Sequence, residues 1–123
     1  MMRGSVDADR QATVRLRVRG TAGSTTEVGF LLDTGFDGTV ILPEQIAQQL
    51  GFVHLGRDTA ILADGSLQTY EMYLGQLLWH SVFQDTVFLC IGPEPLIGMG
   101  LLNGNELRIE VTPGGMVEIN ELP

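Results

Sequence analysis

Short apolar runs separated by turn residues dominate this chain, and that pattern restricts it to a mainly β fold. Residues 13–19 alternate strictly between apolar and polar or charged side chains, which predicts a strand with one buried face. Residues 28–33 are apolar enough for a strand buried on both faces, and residues 39–42 predict a further strand. Sixteen glycines and five prolines favour tight turns over long helices. We therefore predict about seven to nine strands and one or two short helices.

The length of 123 residues favours a single domain. Residues 1–11 are polar and are predicted to form a flexible N-terminal arm, so the predicted domain spans residues 12–123. No apolar run is long enough to span a membrane, and the start lacks the apolar centre of a signal peptide. We therefore predict a cytoplasmic protein with no membrane partner.

Charge and residue usage exclude several functions. The net charge is −8, and five of the seven basic residues lie in the first twenty positions, so the acidic remainder argues against a nucleic-acid partner. Lysine is absent, which excludes the P-loop and Schiff-base chemistry. Cys90 is the only cysteine, and no ligand cluster is apparent, so we predict no disulfide, no metal and no other cofactor. The arginines at 15, 17 and 19 are expected to face acids on neighbouring strands or on a second subunit, such as Glu106, Glu110 or Glu118.

Two turns interrupt the apolar runs in a distinctive way. Asp33-Thr34-Gly35 directly follows one apolar run and is soon followed by another. The pattern therefore places a carboxylate between two predicted strands. Asp64-Gly65 also lies between two predicted strands, and this dipeptide predicts a hairpin with a type I′ turn. About sixty residues after the first turn, Leu96-Ile97-Gly98 repeats the arrangement of an apolar strand, a glycine turn and a short helix.

Three blocks together carry a resemblance to a known family: residues 30–35, residues 64–65, and residues 96–102, which read Leu-Ile-Gly-Met-Gly-Leu-Leu. In this order and spacing they resemble the retropepsin-like aspartic proteases, and most closely the small bacterial single-domain members. The resemblance covers about residues 12–111. It implies a closed β-barrel with one or two short helices, a C2 homodimer, and a peptide or protein substrate.

The resemblance also implies a role for each matching residue. Asp33 would be catalytic, with the same residue supplied by the second subunit. Thr34 would hydrogen-bond across the dimer axis, and Gly35 would let the substrate backbone approach closely. Asp64 and Gly65 would form the tip of a flap that closes over the substrate.

The chemistry of peptide hydrolysis agrees with that assignment. Two carboxylates a few ångström apart share one proton, because both cannot ionise. The ionised group then activates water and the protonated group polarises the carbonyl, without a metal or a covalent intermediate. One such motif in a short chain predicts a two-fold dimer that brings two copies of Asp33 together.

One position departs from the family pattern. The acid two residues after the motif glycine is Asp37, and its usual arginine partner is replaced by Met99. Asp37 is therefore expected to be solvated, to pair with Arg57 or Arg108, or to contact the substrate backbone.

Two other functions stay open from the sequence. A catalytically inactive module of the same fold would serve in dimerisation or peptide binding, and a β-barrel unrelated to proteases would be monomeric. His54 and His80 have no partner at ligand spacing, so both are interpreted as structural or exposed. Cys90 is interpreted as a core residue.

Overall fold

A computed structural model describes all residues from 1 to 123 and confirms a mainly β architecture. Ten strands are joined by short turns, and the two helices are short. The longer helix has six residues, so no helix is long and apolar enough to cross a membrane. The elements are β1 (Met2–Val6), β2 (Ala12–Arg19), β3 (Thr25–Leu32), β4 (Val40–Ile41), α1 (Glu44–Gln49), β5 (Val53–Ile61), β6 (Leu67–Trp79), β7 (Val82–Cys90), β8 (Leu96–Ile97), α2 (Met99–Leu102), β9 (Asn105–Ile109) and β10 (Met116–Glu121).

Six of the strands close into a barrel. The order within it is β6, β7, β4, β8, β3 and β2, and the ring closes because β2 also pairs with β6. Outside the ring, β5 is added beside β6, while β1, β10 and β9 extend the sheet beyond β2. The predicted closed β-barrel is therefore confirmed, with two open edges at β5 and β9.

The barrel core follows from the period-two pattern of its strands. In β2 the apolar residues Val14, Leu16 and Val18 are buried while the arginines between them stay at the surface, as predicted. Strand β3 alternates in the same way and has one exposed face, with Gly29 exposed and Phe30 fully buried. The expectation that β3 is buried on both faces was wrong, because its outer face is left uncovered by any other element.

The N-terminal residues also differ from the expectation of a flexible arm over residues 1–11. Residues 2–6 form β1, which pairs with both β2 and β10. Val6 is buried, and its N–H donates to the carbonyl oxygen of Gly115 at 2.9 Å. A Cβ atom on Gly4 would lie 1.9 Å from the carbonyl oxygen of Thr13, so the close packing of β1 on β2 requires glycine at that position. Glycine at this position permits the close approach by which this polar segment joins the sheet.

The hairpins that join β5 to β6 and β6 to β7 have different turn types. Between β5 and β6 only Gly65 has a positive φ, and its N–H donates to the carbonyl oxygen of Leu62 at 2.9 Å. This is a three-residue loop ending in a left-handed glycine, so the predicted type I′ turn at Asp64-Gly65 was wrong. Between β6 and β7 both His80 and Ser81 have positive φ, which is the type I′ arrangement.

Candidate active site

The Asp33 turn is held in place by the second glycine turn of the chain. The N–H of Asp33 donates to the carbonyl oxygen of Ile97 at 2.8 Å, and the N–H of Gly98 donates to the carbonyl oxygen of Thr39 at 2.9 Å. Strand β8 lies between β3 and β4, parallel to the first and antiparallel to the second. The two similar sequence blocks therefore cross each other, with each main chain bonded to the other.

Glycines permit this close crossing. A Cβ atom on Gly98 would lie 2.3 Å from the carbonyl oxygen of Gly38, and one on Gly100 would lie 2.8 Å from the same oxygen. The N–H of Gly100 donates to that oxygen at 2.9 Å, and the N–H of Met99 donates to the carbonyl oxygen of Phe36 at 2.7 Å. The backbone around Asp33 is therefore fixed by contacts that a larger residue would prevent.

The Asp33 side chain lies in its own turn and remains partly exposed. Its Oδ1 atom accepts a hydrogen bond from the N–H of Gly35 at 3.0 Å, and its carbonyl oxygen accepts one from the N–H of Phe36 at 3.1 Å. It forms no ion pair with any side chain of the same chain. Thr34 and Gly35 are exposed, so one carboxylate and its supporting turn are presented at the surface.

Two shallow depressions meet at Thr34. One has a volume of about 450 Å³ and is lined by Asp33, Thr34 and Ile109 together with residues 10–12, 31, 32 and 111. The other has a volume of about 540 Å³ and is lined by Thr34, Met99 and Leu107 among others. The exposed motif therefore has mixed polar and apolar surface on both sides, and strand β9 contributes to each depression.

Asp37 is exposed and forms no hydrogen bond or ion pair within the chain. Of the environments predicted for its carboxylate, solvation and contact with a substrate therefore remain. Arg57 pairs instead with Glu71, where its Nε atom lies 2.7 Å from Oε2. Arg108 likewise forms no ion pair with Asp37. The expectation of an intrachain arginine partner for Asp37 was therefore wrong.

Asp64 and Gly65 lie at the end of a projecting two-stranded arm. The pairing of β6 with β7 stops at Glu71, opposite Cys90. The pairing of β6 with β5 continues past that point to Leu67, opposite Ile61. Asp64 Oδ1 accepts hydrogen bonds from the Ser66 hydroxyl at 2.6 Å and from the Ser66 N–H at 2.9 Å, and these bonds lower the pKa of the carboxyl group. No hydrogen bond or depression joins this tip to Asp33, so the structure does not bring the two predicted parts of the site together.

A charged cluster that the sequence did not reveal fixes the base of this arm. Glu71 accepts hydrogen bonds from Arg57 at 2.7 Å and from His54 Nε2 at 3.0 Å. The Arg57 bond is the main reason why the pKa of Glu71 is lowered, and the His54 bond adds to it. Residues 54 and 56 flank an irregularity in the strand pairing, so the cluster joins the two strands where their register shifts.

Four further ionisable or reactive side chains pair with neighbours or lie in the core. Arg15 pairs with Glu27 on the neighbouring strand β3, so the expectation of an acid on a neighbouring strand is confirmed for this arginine, with a glutamate other than the three named. Arg19 donates to Gln76 at 2.7 Å. His80 bonds to Asn105 at 2.7 Å. Cys90 is buried in the core, and burial raises the pKa of its thiol to about 11. No group of three or more potential ligands is placed to hold a metal ion.

Comparisons with protein-family models, with curated proteins and with solved structures found no match to this chain.

Proposed function

We propose that this protein is an aspartic endopeptidase that acts as a homodimer, with Asp33 of each subunit forming a shared catalytic pair. One observation supports this most strongly. The Asp33 turn is bonded to the second glycine turn through the backbone, while its carboxylate remains partly exposed and unpaired within the chain. A carboxylate held in a fixed position, partly exposed and without a counter-ion in its own chain is available to pair with the same group of a second subunit.

The chemistry follows from pairing two such carboxylates. At close range they hold a single proton between them, so one is ionised and the other is protonated. The ionised group takes a proton from water, the resulting hydroxide adds to the peptide carbonyl, and the protonated group donates to the carbonyl oxygen. Collapse of the tetrahedral intermediate breaks the C–N bond, and the amine leaves with a proton from the pair. Gly35 N–H keeps the Asp33 carboxylate oriented during this exchange.

The decisive experiment is the substitution Asp33→Asn. Removing one of two acid–base groups typically lowers the rate by about 10²- to 10⁴-fold, and here both copies are removed at once. We expect peptide cleavage to fall by at least that factor while the fold and the mass of the dimer are unchanged. Glu94→Gln is the matched control, because Glu94 is an exposed acid that lines neither depression beside the Asp33 turn. Cleavage by purified Asp33→Asn protein at the wild-type rate would exclude the proposed function.

A catalytically inactive dimerisation or peptide-binding module is the second candidate, and the surroundings of Asp37 favour it. Asp37 has no arginine partner, and Met99 at the usual arginine position is 49% exposed. Such a module would bind a peptide with equal affinity before and after Asp33→Asn. Titration calorimetry on both proteins with an uncleaved peptide, beside the cleavage assay, separates the two functions.

A further inference from the structure

A third depression, of about 340 Å³, lies where strand β6 changes its neighbour. Strand β6 pairs with β5 as far as Leu74 and with β2 from Gln76 onward. Between these two pairings, Gly75 pairs only with β7. The gap between the start of β5 and the end of β2 therefore opens the sheet beside Gly75, which lines the depression. None of its lining residues belongs to the two depressions at Thr34.

The Arg19 guanidinium is held in this depression by contacts on two sides. Its Cζ atom lies 3.9 Å from the centre of the Phe83 ring, in a cation–π contact, and its Nε atom donates to Gln76 Oε1 at 2.7 Å. Arg19 forms no ion pair, and its two Nη nitrogens donate to no residue of the chain. A guanidinium binds a carboxylate through two parallel N–H···O bonds. Because Arg19 is already held in place with both Nη nitrogens free, it is suited to bind a carboxylate.

Asp85 on β7 supplies the opposite charge in the same depression. Gln76 lies between the two charged groups, because its Nε2 atom donates to Asp85 Oδ1 at 3.0 Å while its Oε1 atom accepts the bond from Arg19. The other carboxylate oxygen of Asp85 has no hydrogen-bond partner, and Asp85 forms no ion pair. The depression therefore presents a cation and an anion on either side of one amide group, without direct contact between them.

We propose that this depression binds the zwitterion of an α-amino acid. The Nη nitrogens of Arg19 donate to the ligand carboxylate, and the ligand ammonium group donates to Asp85 Oδ2. The path from Arg19 Nε through the Gln76 amide to Asp85 Oδ1 is at most about 8 Å long. In an α-amino acid the two charged groups are about 3 Å apart, and a hydrogen bond of about 2.9 Å at each end extends this to a similar length.

The lining of the depression favours this ligand over one with a single charge. A simple anion would be attracted by Arg19 but repelled by Asp85, and the reverse holds for a simple cation. Leu74 is the one apolar side chain that lines the depression, so an amino acid with an apolar side chain that packs on Leu74 is the favoured class. Another wall is the turn between β2 and β3, which is tied down where the Thr21 hydroxyl donates to the Gly51 carbonyl oxygen at 3.2 Å.

Three ligands with the same side chain test the proposal on the wild-type protein. Leucine carries both charges, N-acetylleucine lacks the ammonium charge, and leucine methyl ester lacks the carboxylate. We expect leucine to bind at least about tenfold more tightly than either analogue, because each analogue leaves one charged group of the depression without its partner. Titration followed by the amide NMR shifts of Gly23 and Gly75, which both line the depression, measures the affinity and locates the binding.

Two variants show which residue recognises which charge. In Asp85→Asn the preference for leucine over N-acetylleucine is expected to fall to nearly one, while the preference over the methyl ester remains. In Arg19→Gln the preference over the methyl ester is expected to fall to nearly one. Arg17→Gln and Asp9→Asn are matched controls, since both residues are exposed and neither lines the depression. Circular dichroism checks the fold of each variant, and Asp85→Asn, at an exposed position, provides the test even if Arg19→Gln is unfolded.

Several results would overturn the proposal. One is equal affinity of the wild type for all three ligands, and another is a preference for leucine over N-acetylleucine that persists in Asp85→Asn. Equal binding of leucine and N-acetylleucine that is lost in Arg19→Gln would show a site for a carboxylate alone, such as the C-terminus of a peptide. Shifts confined to Asp33 and Thr34 would place leucine at the candidate active site instead. The proposal does not depend on peptide cleavage, so Asp33→Asn is expected to bind leucine like the wild type.

Discussion

Gly98 and Gly38 approach so closely that a Cβ atom on Gly98 would lie 2.3 Å from the Gly38 carbonyl oxygen. The contact joins the two turns that follow β3 and β8, and it lies beside the hydrogen bond from Asp33 N–H to Ile97. A catalytic group must be held within a fraction of an ångström of its working position to act efficiently. The close packing of Gly98 on the Gly38 carbonyl oxygen therefore links the stability of the barrel to the geometry of the candidate site.

Gly98→Ala is expected to destabilise the protein by about 1–3 kcal/mol, because backbone atoms on both sides must move to admit the methyl group. The change should lower the midpoint of urea unfolding. Gly29→Ala is the control: Gly29 lies in a strand, and its added Cβ would meet only Arg15 at 3.6 Å. We expect that control to be neutral or slightly stabilising. Equal unfolding midpoints for the two variants would contradict the close-packing argument.

Ser81→Gly is expected to stabilise the protein by about 0.5–1 kcal/mol. Ser81 has a φ of 67° in the β6–β7 turn, a conformation that costs a non-glycine residue energy and that glycine adopts freely. His80 in the same turn is left unchanged because its ring bonds to Asn105. Thermal unfolding measures the gain, and Ser24→Gly is the control since Ser24 does not have a positive φ. A similar gain from Ser24→Gly would show that the effect does not come from the turn.

The Glu71 cluster predicts a dependence of stability on pH. Because Arg57 and His54 lower the folded-state pKa of Glu71 below its ordinary value of 4.5, the ionised group stabilises the folded protein above that pH. This contribution is lost as the pH falls through the lowered folded-state value. The melting temperature of Glu71→Gln should therefore lie below that of the wild type at pH 7, and the difference should shrink as the pH falls below 4.5.

Gln68→Glu provides a comparison on the same strand without the cluster, since Gln68 is exposed. The difference in melting temperature between Gln68→Glu and the wild type should not show the decrease with falling pH that is expected for Glu71→Gln. A gap between wild type and Glu71→Gln that stays constant from pH 7 to pH 3 would contradict the role given to the cluster.

The sequence was sufficient for features that depend on local pattern. Strict alternation in β2 identified its buried face, and Gly51, with a φ of 67°, is the kind of residue that commonly follows the end of a helix such as α1. The same reasoning failed where distant contacts decide the structure. Strand β1 depends on a close approach of Gly4 to Thr13, which nothing in its own five residues indicates.

The candidate site shows the same division. The motif at Asp33 and the second glycine turn were recognised from residue order, and the structure joins them through backbone hydrogen bonds. Glu71 was not singled out, because its two partners lie on β5 and become its neighbours only through strand pairing. Similarly, the position of Leu107 beside Thr34 depends on how β9 and the barrel are arranged, which no spacing in the sequence specifies.

The apolar tip of the β5–β6 arm provides the last prediction. Ile61 and Leu67 are directly paired across the two strands, yet they are 77% and 69% exposed. If the arm closes over a bound peptide, these side chains contribute to substrate binding and little to folding. The double substitution Ile61→Ser, Leu67→Ser should therefore lower kcat/KM by about tenfold or more and leave the unfolding midpoint nearly unchanged.

Val82→Ser is the matched control for this prediction, because Val82 is 59% exposed on the separate β6–β7 hairpin. It removes a comparable apolar side chain from the surface and should leave kcat/KM unchanged. The interpretation of the arm as a flap would be abandoned if both proteins cleaved the peptide at the wild-type rate. It would also be abandoned if the double variant lost stability in proportion to its lost activity, since the tip would then serve the fold instead of the substrate.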